Sequence, residues 1–398
     1  MTLLAVIALL QAAPAQTEGR EVVVTARPLA DTERAWLDCM ARKCPPDQEI
    51  AAAIAHAENQ FVAGDYKAAR GTLLRTIGHV RGREREFPVE IGNIWRGKSR
   101  IDAHLGEGDR SRIAASQSLQ ALKAGFPDDD PRVFAQRIEL GDTLVQMGRF
   151  RQGLAIYEGV ARRARSLERP LFEGHALLRI ASLWTGAAAG RVRSAAAEQE
   201  ARRAIGALSR LTGPGVAAFR EAAGLLEAKL AARNGDPAAV DRLIARLAAR
   251  PRERPLLVYS PPIDAFAPGM APVAVNGLQD GRTGVRSSTG PVRTDVFEEQ
   301  WIDIGFRIAP DGTVRDAEML RGSDELQPLW VEPVLRQVRG RRYAPLKTAE
   351  ADAPGLFRVE RVTFTSDYFV PTGTRIRMRS GEPRIIVTDL TADAPPSG

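Results

Sequence analysis

Glycines recur along the middle of this chain at a fixed step. Gly64, Gly106, Gly148, Gly190 and Gly235 stand 42, 42, 42 and 45 residues apart, each inside a short break ("AGDY", "LGEGD", "MGRF", "AAAGR", "NGDP"). A steady step with a turn in the same place is the mark of a repeat array. Between the breaks, apolar residues fall at helical spacing, as in Ile50, Ile54, Ala57 and Phe61, then Tyr66, Ala69, Leu73, Ile77 and Val80. Each unit is therefore expected to be a helical hairpin that cannot bury its apolar face alone and stacks on its neighbours. The expected result is a helical repeat solenoid of about five hairpins over residues 47–250.

Residues 1–15 read as a signal peptide. "TLLAVIALLQAAPA" is apolar and ends in Ala13-Pro14-Ala15, an A-x-A site, although no Lys or Arg precedes the run. A retained anchor is the alternative, but a spanning helix needs about 20 apolar residues, and Gln11 and Pro14 interrupt this one. The chain is thus expected in the periplasm, held at the inner membrane if the signal stays. Residues 16–46 form an N-terminal segment. In it "EVVVTAR" is a short strand, Glu21, Val22, Val23, Val24, Thr25 and Ala26, that raises the question of its pairing partner.

Cys39 and Cys44 are the chain's two cysteines. In an oxidising compartment a lone close pair is most simply a disulfide. Five residues apart on a straight helix, the Cα atoms would lie roughly 8–9 Å apart, beyond the ~7 Å bridging limit. The helix from about Thr32 must then end between them, and Pro45-Pro46 suit that stop. No metal or cofactor is expected: His56, His79, His104 and His175 are scattered without ligand spacing. Nor does any motif supply a nucleophile with its base, so no enzyme activity is expected. The net charge of +7 would suit nucleic acid, but an exported chain points instead to an acidic envelope surface or protein. The basic runs "VRGRERE" and "ARRARSLER" could line a binding face, but read more simply as solvated helix ends.

From Pro251 the composition changes. Residues 251–296 are rich in Pro and Gly and read as a linker, in which Leu256–Tyr259 could add a strand to the module after it. Residues 297–368 read as a small α+β module. "WIDIGFRI" alternates, with Ile302, Ile304, Phe306 and Ile308 on one face. "APDG" makes the turn to "TVRDAEMLRG". Then come a short helix with Leu329, Val334, Leu335 and Val338 inward, the extended "RRYAPLK", and a closing strand, "GLFRVERVTFTS". Residues 369–398 read as a C-terminal tail.

These residues carry two resemblances. "LGDTLVQMGRFRQGLAIY" resembles a tetratricopeptide repeat in Leu140-Gly141, Leu144, Gly148, Phe150, Gly153 and Tyr157, although the step is longer than the 34 residues of that family. The order hairpin, helix, strand resembles the C-terminal domain of TonB-type energy transducers. It is carried by Asp311-Gly312, Val314, Asp316, the "RGS" ending, "RRYAPL" and "VERVTFT", about 75 of the 398 residues. The chain departs from the family in lacking its Pro-rich rod and the Tyr-Pro opening.

This second resemblance implies partners, namely TonB-dependent outer-membrane receptors or TonB itself. It also implies that "EVVVTAR" is a TonB-box-like strand. The expected docking edge is the closing strand, Leu356, Arg358, Glu360, Val362 and Phe364, within one chain or between two, which would allow a homodimer. The expected function is a non-enzymatic protein-binding adaptor beside outer-membrane transport. The alternative is an envelope scaffold whose solenoid binds a partner while the C-terminal module only dimerises.

Overall fold

The computed structural model describes residues 28–188, 194–249, 252–263, 297–347, 355–370, 373–381 and 383–391. Eleven of its helices come first: α1 (Leu29–Ala41), α2 (Pro46–Ala63), α3 (Tyr66–Val80), α4 (Pro88–His104), α5 (Gly108–Gly125), α6 (Pro131–Gln146), α7 (Phe150–Ser166), α8 (Pro170–Ala188), α9 (Ala195–Ser209), α10 (Ala217–Arg233) and α11 (Ala238–Ala248). Each packs on the next in sequence, and the even-numbered helices α2 and α4, α6 and α8, and α8 and α10 also touch.

Local chemistry sets the hairpins. Pro46, Pro88 and Pro131 open α2, α4 and α6 at a position where a missing N–H costs nothing. Gly64, Gly106, Gly148 and Gly235 each turn the chain with φ of 92°, 72°, 72° and 101°, a left-handed region that other residues enter only at a cost. Gly190 lies outside the described residues. Apolar faces close into two clusters. One is built from α1 to α5 around Trp36, Ile50, Leu73, Ile91 and Ile94. The other spans α6 to α10 around Phe134, Tyr157, Leu177, Leu208 and Phe219. Fully burying such a side chain contributes about 1.5–3 kcal/mol. The expected helical array is present; α1, which precedes it, ends between Cys39 and Cys44, whose Cα atoms are 5.2 Å apart at disulfide distance.

The C-terminal region is a sheet with one helix. Its strands are β1 (Leu257–Tyr259), β2 (Gln300–Ile308), β3 (Val314–Gly322), β4 (Arg342–Tyr343), β5 (Leu356–Thr365), β6 (Tyr368–Phe369), β7 (Met378–Arg379) and β8 (Arg384–Asp389), and its helix is α12 (Val331–Arg339). The main sheet is antiparallel in the order β3-β2-β5-β8, and β1 pairs with β4. Ile302, Ile304, Phe306 and Ile308 point to one face, where they meet Val362, Phe364, Trp330, Val334 and Val338.

Two expectations are corrected here. The stretch read as a tail, 369–398, carries β7, β8 and the end of β6, and β8 pairs with β5 from Glu360 to Thr365. Leu329, expected inward, is 62% exposed, and Trp330 is buried in its place. The reason is local: Pro328–Trp330 is a tight 3-10 turn, so the spacing of α12 does not extend back through it. The strand read within the linker at Leu256–Tyr259 is present as β1, paired with β4, and its Val258 is buried against Val240 and Ala344.

Candidate functional site

The helical array carries a cleft of about 420 Å³. Its floor is α6, where Glu139, Asp142, Thr143 and Gln146 fall at i, i+3, i+4 and i+7 and so form one stripe down the helix. Its walls are α4, with Ser99 and Arg100, and α8, with Phe172, His175 and Arg179. The same periodicity that turns Phe134, Ile138 and Leu144 into the core leaves Glu139 and Asp142 half-buried and Gln146 exposed, while Thr143 is buried.

The charges in the cleft are fixed in place. Arg100 Nε donates to Glu139 at 3.0 Å. Arg179 grips Asp142 with Nε at 2.9 Å and Nη2 at 3.2 Å, a two-pronged geometry. The Tyr157 hydroxyl, reaching across from α7, donates to the same carboxylate at 2.6 Å. Burial and the Asp142 charge push the Tyr157 pKa well up, so it remains a donor. Burial, then the Arg179 charge, lowers the His175 pKa, which favours the neutral ring. The cleft therefore offers neutral donors and acceptors and two internally balanced ion pairs.

A second polar region lies where the sheet meets the array. The face of β2 and β5 opposite α12 carries Trp301, Asp303, Arg361 and Thr363, and all four are buried. Arg361, with no exposed surface, binds Asp303 through Nε at 2.7 Å and Nη2 at 2.9 Å. It also donates to the carbonyls of Phe61 and Val62 and stacks 3.9 Å over the Trp301 ring. Arg321 donates to Asp303 at 2.6 Å and to Val62 O at 2.9 Å. Arg384 donates to Ala103 O at 2.8 Å and Gln146 O at 3.3 Å. These carbonyls lie at the C-terminal ends of α2, α4 and α6, where the helix ladder runs out of donors and the dipole favours cations. The sheet thus caps successive hairpins with arginines.

Shape enforces the same seat. A Cβ at Gly64 would run into the Trp301 ring, and one at Gly106 into Ser366 O. Thr363 accepts or donates with His104 Nδ1 at 2.7 Å and Tyr66 Oη at 3.1 Å. Burial, then Arg361 and Arg384, drives the His104 pKa down to about 3, so the ring is neutral.

The expected site residues scatter across the molecule. Glu21, Val22, Val23, Val24, Thr25 and Ala26 lie outside the described residues, as does the signal peptide. Leu356, Arg358, Glu360, Val362 and Phe364 lie in β5, which is an inner strand: β2 pairs with it from Leu356 to Phe364 and β8 from Glu360 to Thr365. It is not an open edge. Among the described residues the outer strands of the sheet are β3 and β8. The histidines are dispersed: His56 beside Thr32 at 3.1 Å, His79 beside Glu49 at 3.0 Å, His104 in the seam and His175 in the cleft. Among the described residues no group of three His, Cys, Asp or Glu side chains is placed to hold a metal, and no helix is long and apolar enough to cross a membrane. Sequence reasoning missed Arg361, Arg384 and the α6 stripe, whose signal was a polar face on an alternating or helical pattern. Set against family models, curated proteins and solved structures, the chain finds no match in any of the three.

Proposed function

We propose that this chain is a non-enzymatic adaptor of the periplasm that takes an extended segment of a partner protein in the cleft of α4, α6 and α8. The observation that carries this reading is the polar stripe of Glu139, Asp142, Thr143 and Gln146, walled by two helices. Its charges are already balanced by Arg100 and Arg179, so the stripe suits the amides and carbonyls of a peptide backbone better than a strongly charged small molecule. The hairpins are proposed to be of the tetratricopeptide type and the C-terminal sheet of the TonB C-terminal type. The order β2, the Asp311-Gly312 turn, β3, α12 and β5 supports the latter. On that reading the partners are TonB-dependent outer-membrane receptors or TonB itself. A second reading, an envelope scaffold that dimerises through its sheet, draws support from β3 and β8, the outer strands of the sheet among the described residues.

Panning random short peptides against the full chain tests the first reading. Selected peptides are expected to bind at least about tenfold more weakly, roughly 1.4 kcal/mol, to Ala135→Trp, which places a ring in the cleft from an exposed position of α6. Arg162→Glu, on an outward position of α7 with the side chain 71% exposed, is expected to leave binding unchanged. Binding indifferent to Ala135→Trp would remove the cleft from consideration. Failure to select any peptide would favour the scaffold.

A further inference from the structure

From Arg375 the chain reads Arg-Ile-Arg-Met-Arg, and between Tyr368 and Ser380 it holds no Asp or Glu. In the ribbon of β6 and β7, Tyr368 stands opposite Arg379 and Phe369 opposite Met378. Residues directly opposite share a face, and consecutive ones do not. One face therefore carries Tyr368 and Arg379, and the other carries Phe369 and Met378.

The first face is held to the body of the molecule. Arg379 is buried and donates to Glu298 at 2.8 Å and to Ser366 O at 2.8 Å. The Tyr368 N–H donates to Gly106 O at 2.9 Å, and Arg377 and Arg379 lie 4.0 and 4.2 Å from the Tyr368 ring. The second face is turned to solvent. Phe369 and Met378 are 47% and 49% exposed, and Ile376 beside them is 69% exposed. An anchored ribbon that presents large apolar side chains outward is built to meet something.

Positive charge is in surplus next to it. Arg70 of α3, Arg110 of α5 and Arg377 bring Nη1 to 3.5, 3.4 and 2.9 Å of one atom, Glu107 Oε1. Three guanidinium groups thus share a single carboxylate, and Arg375 adds a fourth, exposed cation. The neighbouring acids are already taken: Asp102 by Lys98, Glu298 by Arg379 and Glu299 by Lys67. Burial, then the charges of Arg379 and Arg70, disfavours the Arg377 cation, and a further anion would relieve that repulsion.

We propose that the β6–β7 ribbon is a peripheral docking surface for an anionic lipid bilayer. Phe369, Ile376 and Met378 enter the headgroup layer, while Arg110, Arg375 and Arg377 take the phosphates. Guanidinium groups bind phosphate through paired N–H donors and keep their heads at the interface. Membrane anchoring takes two signals, apolar insertion and charge, and here they lie side by side. A second copy of the chain fits this surface less well, because a two-fold contact would bring the arginines against their own images. The proposal is independent of the cleft of α4, α6 and α8.

Vesicle sedimentation tests it, using the chain from residue 16 so that the apolar run of residues 1–15 cannot bind lipid. Vesicles rich in phosphatidylglycerol are compared with phosphatidylcholine alone. Circular dichroism first establishes that each variant is folded. Binding is expected on the anionic vesicles and to be at least about tenfold weaker on the neutral ones. Ile376→Ser/Met378→Ser and Arg110→Gln/Arg375→Gln are each expected to weaken it at least about tenfold. In the second of these Glu107 keeps Arg70 and Arg377. Arg162→Gln/Arg203→Gln removes the same charge from exposed positions of α7 and α9 and is expected to bind as the wild type. An equal loss in that control would overturn the proposal, as would equal binding to both lipids or no binding to either. Release by millimolar inorganic phosphate at constant ionic strength would assign the arginines to a free anion instead. Dimerisation in ultracentrifugation that Ile376→Ser/Met378→Ser abolishes would give the face to a second copy, and either result would overturn the lipid assignment.

Discussion

Arg361→Met removes the centre of the seam between sheet and array while keeping most of its volume. Asp303, 1% exposed, would lose two of its three guanidinium contacts and keep only Arg321. Phe61 O retains the Gly64 N–H and Val62 O retains Arg321, so the helix end is not orphaned. The loss is therefore mainly that of a buried carboxylate with half its compensation. Removing one partner of a buried pair costs about 3–5 kcal/mol, and the surviving Arg321 contact puts the expected value near about 3 kcal/mol. The assay is urea unfolding by near-ultraviolet circular dichroism, on Arg361→Met, Asp303→Leu and the double variant. The double variant is expected to be less damaged than the sum by at least about 1–2 kcal/mol, because no buried charge is left alone. Additive effects, or a single-variant loss below about 1 kcal/mol, would refute the claim that this pair holds the seam.

Gly64→Ala is expected to cost about 1–2 kcal/mol for its left-handed φ of 92° and a further ~1–3 kcal/mol for the collision with Trp301. Gly235→Ala, at φ 101° with open space around it, is expected to cost only the first part, so equal losses in thermal unfolding would discount the seam. His104 has a folded pKa of about 3, below the ~6.5 of an unfolded histidine. The stability linked to it is therefore intact above about pH 6.5 and drains as pH falls toward 3. Between these limits the wild type is expected to lose up to ~1.4 kcal/mol per pH unit more than His104→Gln, and parallel stability curves would contradict that.

Much of the helical array was legible because a turn has a chemical demand. A left-handed residue at the end of α2, α4, α6 and α10 calls for glycine, so the period could be read from Gly64, Gly106, Gly148 and Gly235. The β2–β3 hairpin was legible for the same reason at Asp311-Gly312. Strand β8 was not: "RIIVTD" comes after a polar stretch, and its partner is chosen by distant pairing and not by a local turn. The missed strand turned β5 from an expected edge into an inner strand. Arg361 was hidden for a different reason. Alternation shows that a face is polar, but not whether it meets water or the carbonyl ends of helices. The α6 stripe has the same ambiguity, because Glu139, Asp142, Thr143 and Gln146 would look alike on a solvated helix.

The most direct test of the cleft is contact mapping. Benzoylphenylalanine is placed in the full chain at position 135, in the cleft, or at position 162, on α7, and irradiated with a selected peptide. Crosslinks from position 135 to the interior of the peptide, with none from position 162, are the expected result. Crosslinking from position 162, or from both positions alike, would contradict peptide binding between α4, α6 and α8.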